Sequence, residues 1–492
     1  MPVLVRRALA LTLIAMIAVV PSACRNKPEG TVKVVVIGGA PKLRDPALGP
    51  LAAPDGVLLA SVGQGLVRFD ASGNIVGGLA ERWTVSDDGL TYIFRIASTN
   101  WPGGRKLTAQ QVARILKRSI ASSSANSLKD TVGAVSDVVA MTDRVIEIQL
   151  KAPRPNLLAL LAQPEFAIVR NGVGTGPFQP AADHVPPGQL RLTREISDPD
   201  ADETRHEDVL LSGASADAAV RKFASGETDL VLGGTFADLP YALRARLPRG
   251  SLRFDPASGL FGLVPARSGS KLDDVAARRV LSQAIDRDAL VDALNVPGLV
   301  ARTTILEPGL EGVPDPVAPT WLATPLAQRR AALAADAARL FGTDKPPIKI
   351  WLPNGPGAQI LFDRLASDWG AIGLTLQRAP SPGAADLKMI DQVAPSISPA
   401  WFLRQFRCQF VPVCDDQADQ LLDAARDALV AAQRAALLAQ AAARIDEDQL
   451  FLPLAAPIRW SLVSSRIQGF AGNRYARHTL TDLEQRPSSG GP

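Results

Sequence analysis

The chain has 492 residues, of which 47% are apolar and 21% charged, and its formal net charge is +4. This length predicts two or three domains with a large core, and it excludes a disulfide-stapled miniprotein. The 53 Lys and Arg residues nearly balance the 49 Asp and Glu residues, so no nucleic-acid partner is expected. Three cysteines and three histidines leave little material for a metal or thiol enzyme, and we expect no cofactor and no metal site.

The N-terminus has the pattern of an export signal. Two arginines precede the apolar residues 8–20, which would span about 20 Å as a helix and so fall short of a bilayer core of about 30 Å. Small residues before Cys24 are similar to a bacterial lipobox, in which the cysteine receives lipid. We therefore predict a signal peptide over 1–23, a lipid anchor on Cys24, a tether over 24–30 and a periplasmic protein held at a membrane. An ordinary cleaved signal with an incidental cysteine is the alternative.

Beyond the tether, short runs rich in Val, Ile and Leu alternate with helical patterns. The predicted strands are residues 32–37, 92–96, 145–150, 229–232, 348–352, 374–377 and 386–390. The predicted helices are residues 108–120, 326–341, 415–428 and 435–445. Thr108 with Gln111 forms a capping box, Asp286 is placed to cap a further helix, and Gly342 follows a helix at the usual terminating position. This alternation predicts an α/β chain with buried sheets.

Two cysteines remain if Cys24 is acylated. Cys408 and Cys414 are separated by five residues, and in an oxidising compartment they can form a disulfide. Closing so small a loop would stabilise the fold by roughly 2 kcal/mol. Two buried free thiols are the alternative. No histidine lies nearby, which argues against a zinc site with four ligands.

A search for catalytic motifs finds none with the required context. The glycines of residues 172–176 precede a Pro-Phe-Gln-Pro run that cannot open a helix, so they indicate a turn rather than a phosphate loop. Neither a G-x-S-x-G elbow nor an H-E-x-x-H motif occurs. We expect His184, His206 and His478 to be surface residues and the protein not to be an enzyme. A hydrolase with a dispersed Ser/His/Asp triad stays open, because triads are recognised by geometry.

One stretch carries a specific resemblance. Residues 78–96 read GLAERWTVSDDGLTYIFRI, and WPGG at 101–104 and LTAQQV at 107–112 follow. Further landmarks are RRVLSQAIDRDAL from residue 278 and CDDQADQLL from residue 414. From residue 32 to about 470 the chain resembles the family-5 extracellular solute-binding proteins of ABC transporters, the dipeptide, oligopeptide and nickel receptors. Taken alone, the residues of the first stretch specify a hairpin turn and core side chains, and no catalyst.

The resemblance implies an α/β, two-lobed, type II periplasmic-binding-protein-like fold with an extra small subdomain on the first lobe. Such a receptor closes over its ligand like a clam. The implied organisation is lobe I from 31–60, 165–255 and 456–486, the accessory subdomain of lobe I from 60–165, lobe II from 256–455, and a disordered tail over 487–492. The chain then crosses between the lobes near residues 255 and 455.

The predicted ligand residues follow from a departure from the family. Its peptide receptors usually carry a second-lobe aspartate for the peptide ammonium, but residues 396–407 contain no acid and offer instead Trp401, Arg404 and Arg407. The two arginines can bind a carboxylate or phosphate, and Asp391 is the nearest acid for an ammonium. Alternatively, Trp401 belongs to the core and both arginines are solvated on a helix face.

Two further residues, Asp45 and Trp101, lie in segments that border the cleft in relatives, although each can be purely structural. The resemblance implies a monomeric binding protein, not an enzyme, that captures a peptide or related small polar solute and delivers it to ABC permease transmembrane subunits. The alternatives are an envelope interaction or chaperone protein that keeps the fold but not import, and a receptor for a metal chelate or another non-peptide anion.

Overall fold

A computed structural model describes residues 30–181, 185–198, 203–342 and 346–485. The predicted signal peptide, Cys24, all but the last residue of the tether, His184 and the tail lie outside the described residues. Within them, none of the helices combines the length and the apolar character that a membrane crossing requires.

The largest sheet has seven strands and centres on three parallel neighbours. Val32–Ile37 lies between Glu203–Ala214 and Leu230–Thr235 and runs parallel to both. Because both faces of this central strand are covered, Val34, Val35 and Val36 are all buried. In sheet order the strands are Gln179–Pro180, Gln189–Asp198, Glu203–Ala214, Val32–Ile37, Leu230–Thr235, Arg459–Val463 and Leu252–Phe254.

A second sheet of five strands forms the other half of the molecule. Its strands, in sheet order, are Leu376–Arg378, Ile348–Trp351, Leu387–Val393, Gly259–Pro265 and Leu452–Ala455. The chain passes from the seven-stranded sheet to this one between residues 254 and 259, and it returns between residues 455 and 459. The lobe boundaries near residues 255 and 455 stay a prediction from the family resemblance.

A separate four-stranded antiparallel sheet lies within residues 60–165. Its order is Ala80–Val85, Thr91–Ile96, Val145–Leu150 and Val135–Thr142. The hairpin turn joining the first two strands is closed by the Gly89 N–H donating to the Ser86 carbonyl at 2.8 Å, with Gly89 at φ +66°. Three two-stranded pairs complete the strands: Val67–Phe69 with Ile75–Gly77, Val169–Arg170 with Val173–Gly174, and Ile467–Gln468 with Glu484–Gln485.

Helices cover the sheets, and their ends follow the sequence signals. Thr108 and Gln111 form the expected capping box, and Asp286 accepts the Ala289 N–H at 3.0 Å as a helix cap. The α-helices are Ala53–Val62, Ala109–Ile120, Leu157–Leu161, Ala216–Ala224, Leu239–Arg244, Val275–Ala284, Arg287–Leu294, Leu326–Phe341, Pro356–Gly370, Pro399–Arg404, Asp416–Asp427 and Ala431–Glu447. The 3₁₀-helices are Pro46–Leu48, Lys129–Val132, Pro164–Phe166, Lys271–Asp273, Thr320–Ala323 and Pro382–Ala384.

The two halves share an apolar core along one side. A single cluster of buried side chains continues from the seven-stranded sheet into the five-stranded sheet. Phe236 of the first half meets Phe261 of the second edge to face, with ring centroids 5.0 Å apart. Beside them the Gly357 N–H donates to the Ala237 carbonyl at 2.9 Å, and a Cβ at Gly357 would come within 1.9 Å of the Phe236 oxygen. This side of the molecule is therefore packed as an interior.

Candidate ligand-binding site

A cavity of about 110 Å³ lies where the parallel strands of the seven-stranded sheet end. Val36, near the carboxyl end of its strand, forms one wall, and Leu232 and Gly233 of the neighbouring parallel strand form another. Ligands of open α/β sheets bind outside the carboxyl ends of the strands. The topology thus marks this cavity as the candidate ligand site.

Polar side chains from distant parts of the chain meet at the cavity. Arg477 and Gln163 both line it, and the Arg477 Nε donates to the Gln163 Oε1 at 3.1 Å. The Arg477 Nη2 also donates to Glu165 at 3.0 Å. Gln64, another lining residue, donates its amide to the Thr175 carbonyl at 2.6 Å. The bonds to Gln163 and Glu165 fix the orientation of the Arg477 guanidinium at the cavity wall.

The cavity borders the boundary between the two halves. Gln163 also donates its Nε2 to the Pro395 carbonyl of the second half at 2.8 Å, so one amide touches the cavity and both halves. Arg154 also donates across the boundary, from its Nη2 to the Arg426 carbonyl at 2.8 Å. Because these bonds join the four-stranded region to the second half, the structure shows the two halves in contact across the boundary.

Arg404 also spans this boundary. Its guanidinium lies 3.6 Å from the Asp130 carboxylate, and its side chain is only 20% exposed. Desolvation lowers the pKa of Arg404, and the Asp130 charge acts in the opposite direction. Arg404 therefore contacts the opposite half of the protein and is not a freely solvated residue on a helix face.

Arg407 and Trp401 are engaged within the second half. Arg407 donates to Asp423 at 2.5 Å and lies 3.7 Å from Asp419, both on the helix Asp416–Asp427. Trp401 is buried in an apolar cluster and packs edge to face on Phe402, with centroids 5.1 Å apart. This placement favours the core alternative for Trp401 and an intralobe role for Arg407.

Asp391 has a partner of its own. The Arg459 Nη1 donates to the Asp391 Oδ1 at 2.8 Å, and the two side chains are 16% and 13% exposed. Burial raises the pKa of the Asp391 carboxyl, and the neighbouring guanidinium opposes this shift. Since Arg459 follows the second chain crossing, the pair joins the two halves and leaves Asp391 already matched with a cation.

Asp45 and Trp101 have structural partners. Asp45 caps a 3₁₀-helix by accepting the Ala47 N–H at 2.9 Å, and it pairs with Arg118 at 2.6 Å. Trp101 is buried in the core of the four-stranded region and donates its indole N–H to Gln111 at 2.7 Å. None of the six predicted ligand residues lines the cavity formed by the described residues.

Two histidines differ in their placement. His206 is exposed, as predicted, but His478 lines the cavity with a side chain only 8% exposed, so the surface prediction was wrong for it. Its Nε2 lies 3.1 Å from the Asp255 carboxylate, and its ring stacks on Phe470. The Asp255 carboxylate offsets the free-energy cost of burying the polar His478 ring. The residues that flank His478 in the sequence do not reveal this pairing, because Asp255 is distant in the chain.

Cys408 and Cys414 form a disulfide in the structure. It closes the short loop between Arg407 and the helix Asp416–Asp427, and the Asp416 carboxylate lies 3.4 Å from the Cys408 sulfur. These three residues group closely enough to hold a cation, but both sulfurs are used by the disulfide. The two cysteines therefore cross-link this loop covalently and do not serve as metal ligands.

Gln163, Arg477 and Gln64 were not predicted from the sequence. Gln163 and Arg477 stand 314 positions apart, and neither belongs to a motif. The nearest sequence signal is the acid-free segment 396–407, which begins one residue after Pro395, the partner of Gln163. The predicted segment is thus adjacent in sequence to a residue that contacts Gln163, whereas Gln163 and Arg477 meet only through the folding of the chain.

Known proteins are similar to this chain in sequence. Residues 74–402 match the family model described as bacterial extracellular solute-binding proteins, family 5. The chain belongs to this family. A probable di/tripeptide-binding protein of Pseudomonas aeruginosa is 26% identical to this chain. The match covers 85% of this chain and 88% of the P. aeruginosa protein.

Solved structures share the fold. The crystal structure of Haemophilus influenzae OppA in complex with RPPGFSPFR matches 92% of this chain and 99% of its own, with a TM-score of 0.77 and 18% identity. AgaA of A. tumefaciens R10, in complex with agropinic acid, matches 93% of this chain and 99% of its own, with a TM-score of 0.71 and 18% identity. The two-lobed, type II α/β fold predicted from the sequence is confirmed.

Proposed function

We propose that the protein captures a short peptide, or a polar solute of similar size, between its lobes and delivers it to the transmembrane subunits of an ABC permease. The observation that carries this proposal is the position of the cavity, at the carboxyl ends of parallel strands and beside an amide that bridges the halves. The similarity to the P. aeruginosa di/tripeptide-binding protein supports a peptide as ligand.

Ligand capture follows if the ligand binds the closed state of the two halves more tightly than the open state. Gln163 bonds to Pro395 only when the halves are together, so a ligand that touches Gln163 and the second half binds the closed state more tightly. The permease then receives a closed, loaded receptor. No bond in the ligand is made or broken, and no cofactor takes part.

The organisation proposed for this cycle is the one expected from the sequence. Lobe I comprises 31–60, 165–255 and 456–486 with the accessory subdomain 60–165, and lobe II comprises 256–455. Lipid on Cys24 and the tether hold the exported monomer beside its permease. Membrane fractionation tests the anchor: a Cys24→Ala variant is expected in the soluble periplasmic fraction, and its retention in the membrane would contradict the anchor.

A peptide ligand is tested on natively purified protein. Mass spectrometry of material released on unfolding is expected to show peptides, and a di- and tripeptide panel is expected to raise the midpoint of thermal unfolding. A ligand at 100 times its Kd stabilises by about 2.7 kcal/mol, which is several degrees even for a large domain. An absence of released peptide together with no midpoint shift at millimolar peptide would overturn the proposal.

A second candidate ligand is a non-peptide anion. Arg68 and Arg477 line the cavity, whereas none of the described residues lining it carries a carboxylate. AgaA, which shares the fold, was crystallised with agropinic acid. The same mass spectrometry separates the two candidates, because an anionic small molecule and a peptide mixture differ in mass and fragmentation.

A further inference from the structure

Two cationic side chains line the cavity in the first lobe, and each has a carboxylate partner behind the wall. Two guanidinium groups, of Arg68 and Arg477, belong to its wall, and no carboxylate of a described residue does. Arg68 lies at 3.8 Å from Asp482, a loose pair, and donates to the Phe69 carbonyl at 3.3 Å. The Glu165 carboxylate, 3.0 Å from Arg477, is not among the lining residues, so an anionic group entering the cavity would share the Arg477 guanidinium with it.

Arg477 keeps donors available after its protein contacts are made. Its Nε and Nη2 are used by Gln163 and Glu165, and its Nη1 has no hydrogen bond to any residue in the described parts of the chain. A guanidinium offers five N–H donors in a planar fork, and two of them are on Nη1. Because the guanidinium is planar, the bonds made by Nε and Nη2 also fix the direction in which the two Nη1 donors point.

The helix facing Arg477 leaves space beside that nitrogen. Gly56 is buried in the helix Ala53–Val62, where glycine costs roughly 0.5–1 kcal/mol relative to alanine. A Cβ at this position would lie 3.5 Å from the Arg477 Nη1, and a larger side chain would occupy the cavity. The missing side chain thus keeps room open at the available donors.

The size of the cavity fits a ligand group rather than one water molecule. A cavity that holds a single water needs about 10–15 Å³, whereas this cavity has about 110 Å³. The mixed wall, with Val36, Ala53 and Leu232 beside the polar groups, suits the end of a chain that is part apolar and part charged.

We propose that Arg477 binds a carboxylate of the ligand in this cavity. The inference rests on the proposed function and names the end of the ligand that the first lobe recognises. Arginine binds carboxylates through parallel N–H···O bonds, and a lysine offers no such fork. Glu165 and Gln163 act as positioning residues, because they orient the guanidinium without needing to touch the ligand.

The test measures the affinity of three probes by calorimetry: trialanine, trialanine amide, and the amide of Ala-Glu-Ala. The first offers a terminal carboxylate, the second none, and the third a side-chain carboxylate. We expect the wild-type protein to prefer one carboxylate probe to trialanine amide by tenfold or more. We expect Arg477→Gln to weaken that probe by ten- to a hundredfold and to leave trialanine amide within twofold.

Three controls separate recognition from structure. Arg477→Lys keeps the charge without the fork and is expected to restore only part of the preference. Arg221→Gln removes an exposed arginine from the helix Ala216–Ala224 and is expected to change nothing. Gly56→Leu leaves Arg477 in place but fills the cavity, and it is expected to abolish the preference even if Arg477→Gln fails to fold.

The outcomes are distinguishable. If the wild-type protein binds none of the probes and releases no peptide, the proposed function and this inference both fail. If it binds peptides but treats acid and amide alike, or if Arg477→Gln weakens all probes equally, only the inference fails. Equal weakening of all three probes would show that Arg477 has a purely structural role, through its bonds to Gln163 and Glu165.

Discussion

Asp446 should make the stability of the protein depend on pH. The residue lies in the helix Ala431–Glu447, and its carboxylate accepts the Ile305 N–H at 2.8 Å. Burial raises the pKa of Asp446 from 3.8 to about 7, and the hydrogen bond from Ile305 only partly opposes this effect. A carboxyl whose pKa is higher in the folded state binds a proton more tightly there, so its contribution favours folding at low pH.

This contribution is lost as the pH rises from about 4 to about 7. Each unit of pKa shift corresponds to about 1.4 kcal/mol, so between pH 5 and pH 8 the Asp446 carboxyl removes about 3 kcal/mol of stability. Asp446→Asn keeps an oxygen that accepts the Ile305 N–H and does not titrate. We expect this variant to exceed the wild-type protein by about 1.5 kcal/mol at pH 5 and by about 4 kcal/mol at pH 8, so that the difference grows by about 3 kcal/mol over this range.

The assay is urea unfolding followed by circular dichroism at pH 5, 6, 7 and 8. Only the difference between the two proteins is used, since other groups titrate equally in both. Glu447→Gln, at the exposed neighbouring position, is the matched control and should give a difference that does not change with pH. A difference between Asp446→Asn and wild type that stays constant within about 0.5 kcal/mol over this range would refute the reasoning.

Three further predictions concern the contacts described above. Arg459→Ala leaves Asp391 buried and unpaired and should cost about 3–5 kcal/mol in urea unfolding, most of which the added change Asp391→Ala should recover. Replacing Cys408 and Cys414 by serine should lower the free energy of unfolding by roughly 2 kcal/mol; an unchanged value would show that the loop is ordered without the disulfide. Gln163→Ala removes a bond between the halves and should increase the radius of gyration of ligand-free protein in X-ray scattering, with an unchanged radius as the contrary result.

Much of the fold could be predicted from local sequence, because local chemistry decides it. The strand Val32–Ile37 and the helix Leu326–Phe341 have the predicted bounds, since both have clear apolar patterns and clear ends. The strand predicted over 229–232 is longer, Leu230–Thr235, because its two glycines hide the pattern. The long hairpin of Gln189–Asp198 and Glu203–Ala214 was not predicted, because charged residues at its exposed end conceal its alternation.

The site was less predictable, because nothing local marks it. Arg404 and Trp401 were predicted from the segment 396–407 and Asp391 as the nearest acid outside it, and each contacts a partner or the core in the structure. Arg477 and Gln163 come together at the cavity only through a contact between residues 314 positions apart. A single sequence gives residue types, but it does not show which long-range partners already satisfy them.

The apolar side shared by the two halves sets the direction in which the protein can open. Phe236 and Phe261 would lose buried area if that side separated, and the Gly357 N–H would lose its acceptor. Polar contacts, such as Gln163 with Pro395 and Arg404 with Asp130, also join the halves, and water can replace these. Separation of the halves would therefore cost less free energy at the polar contacts than along the shared apolar core.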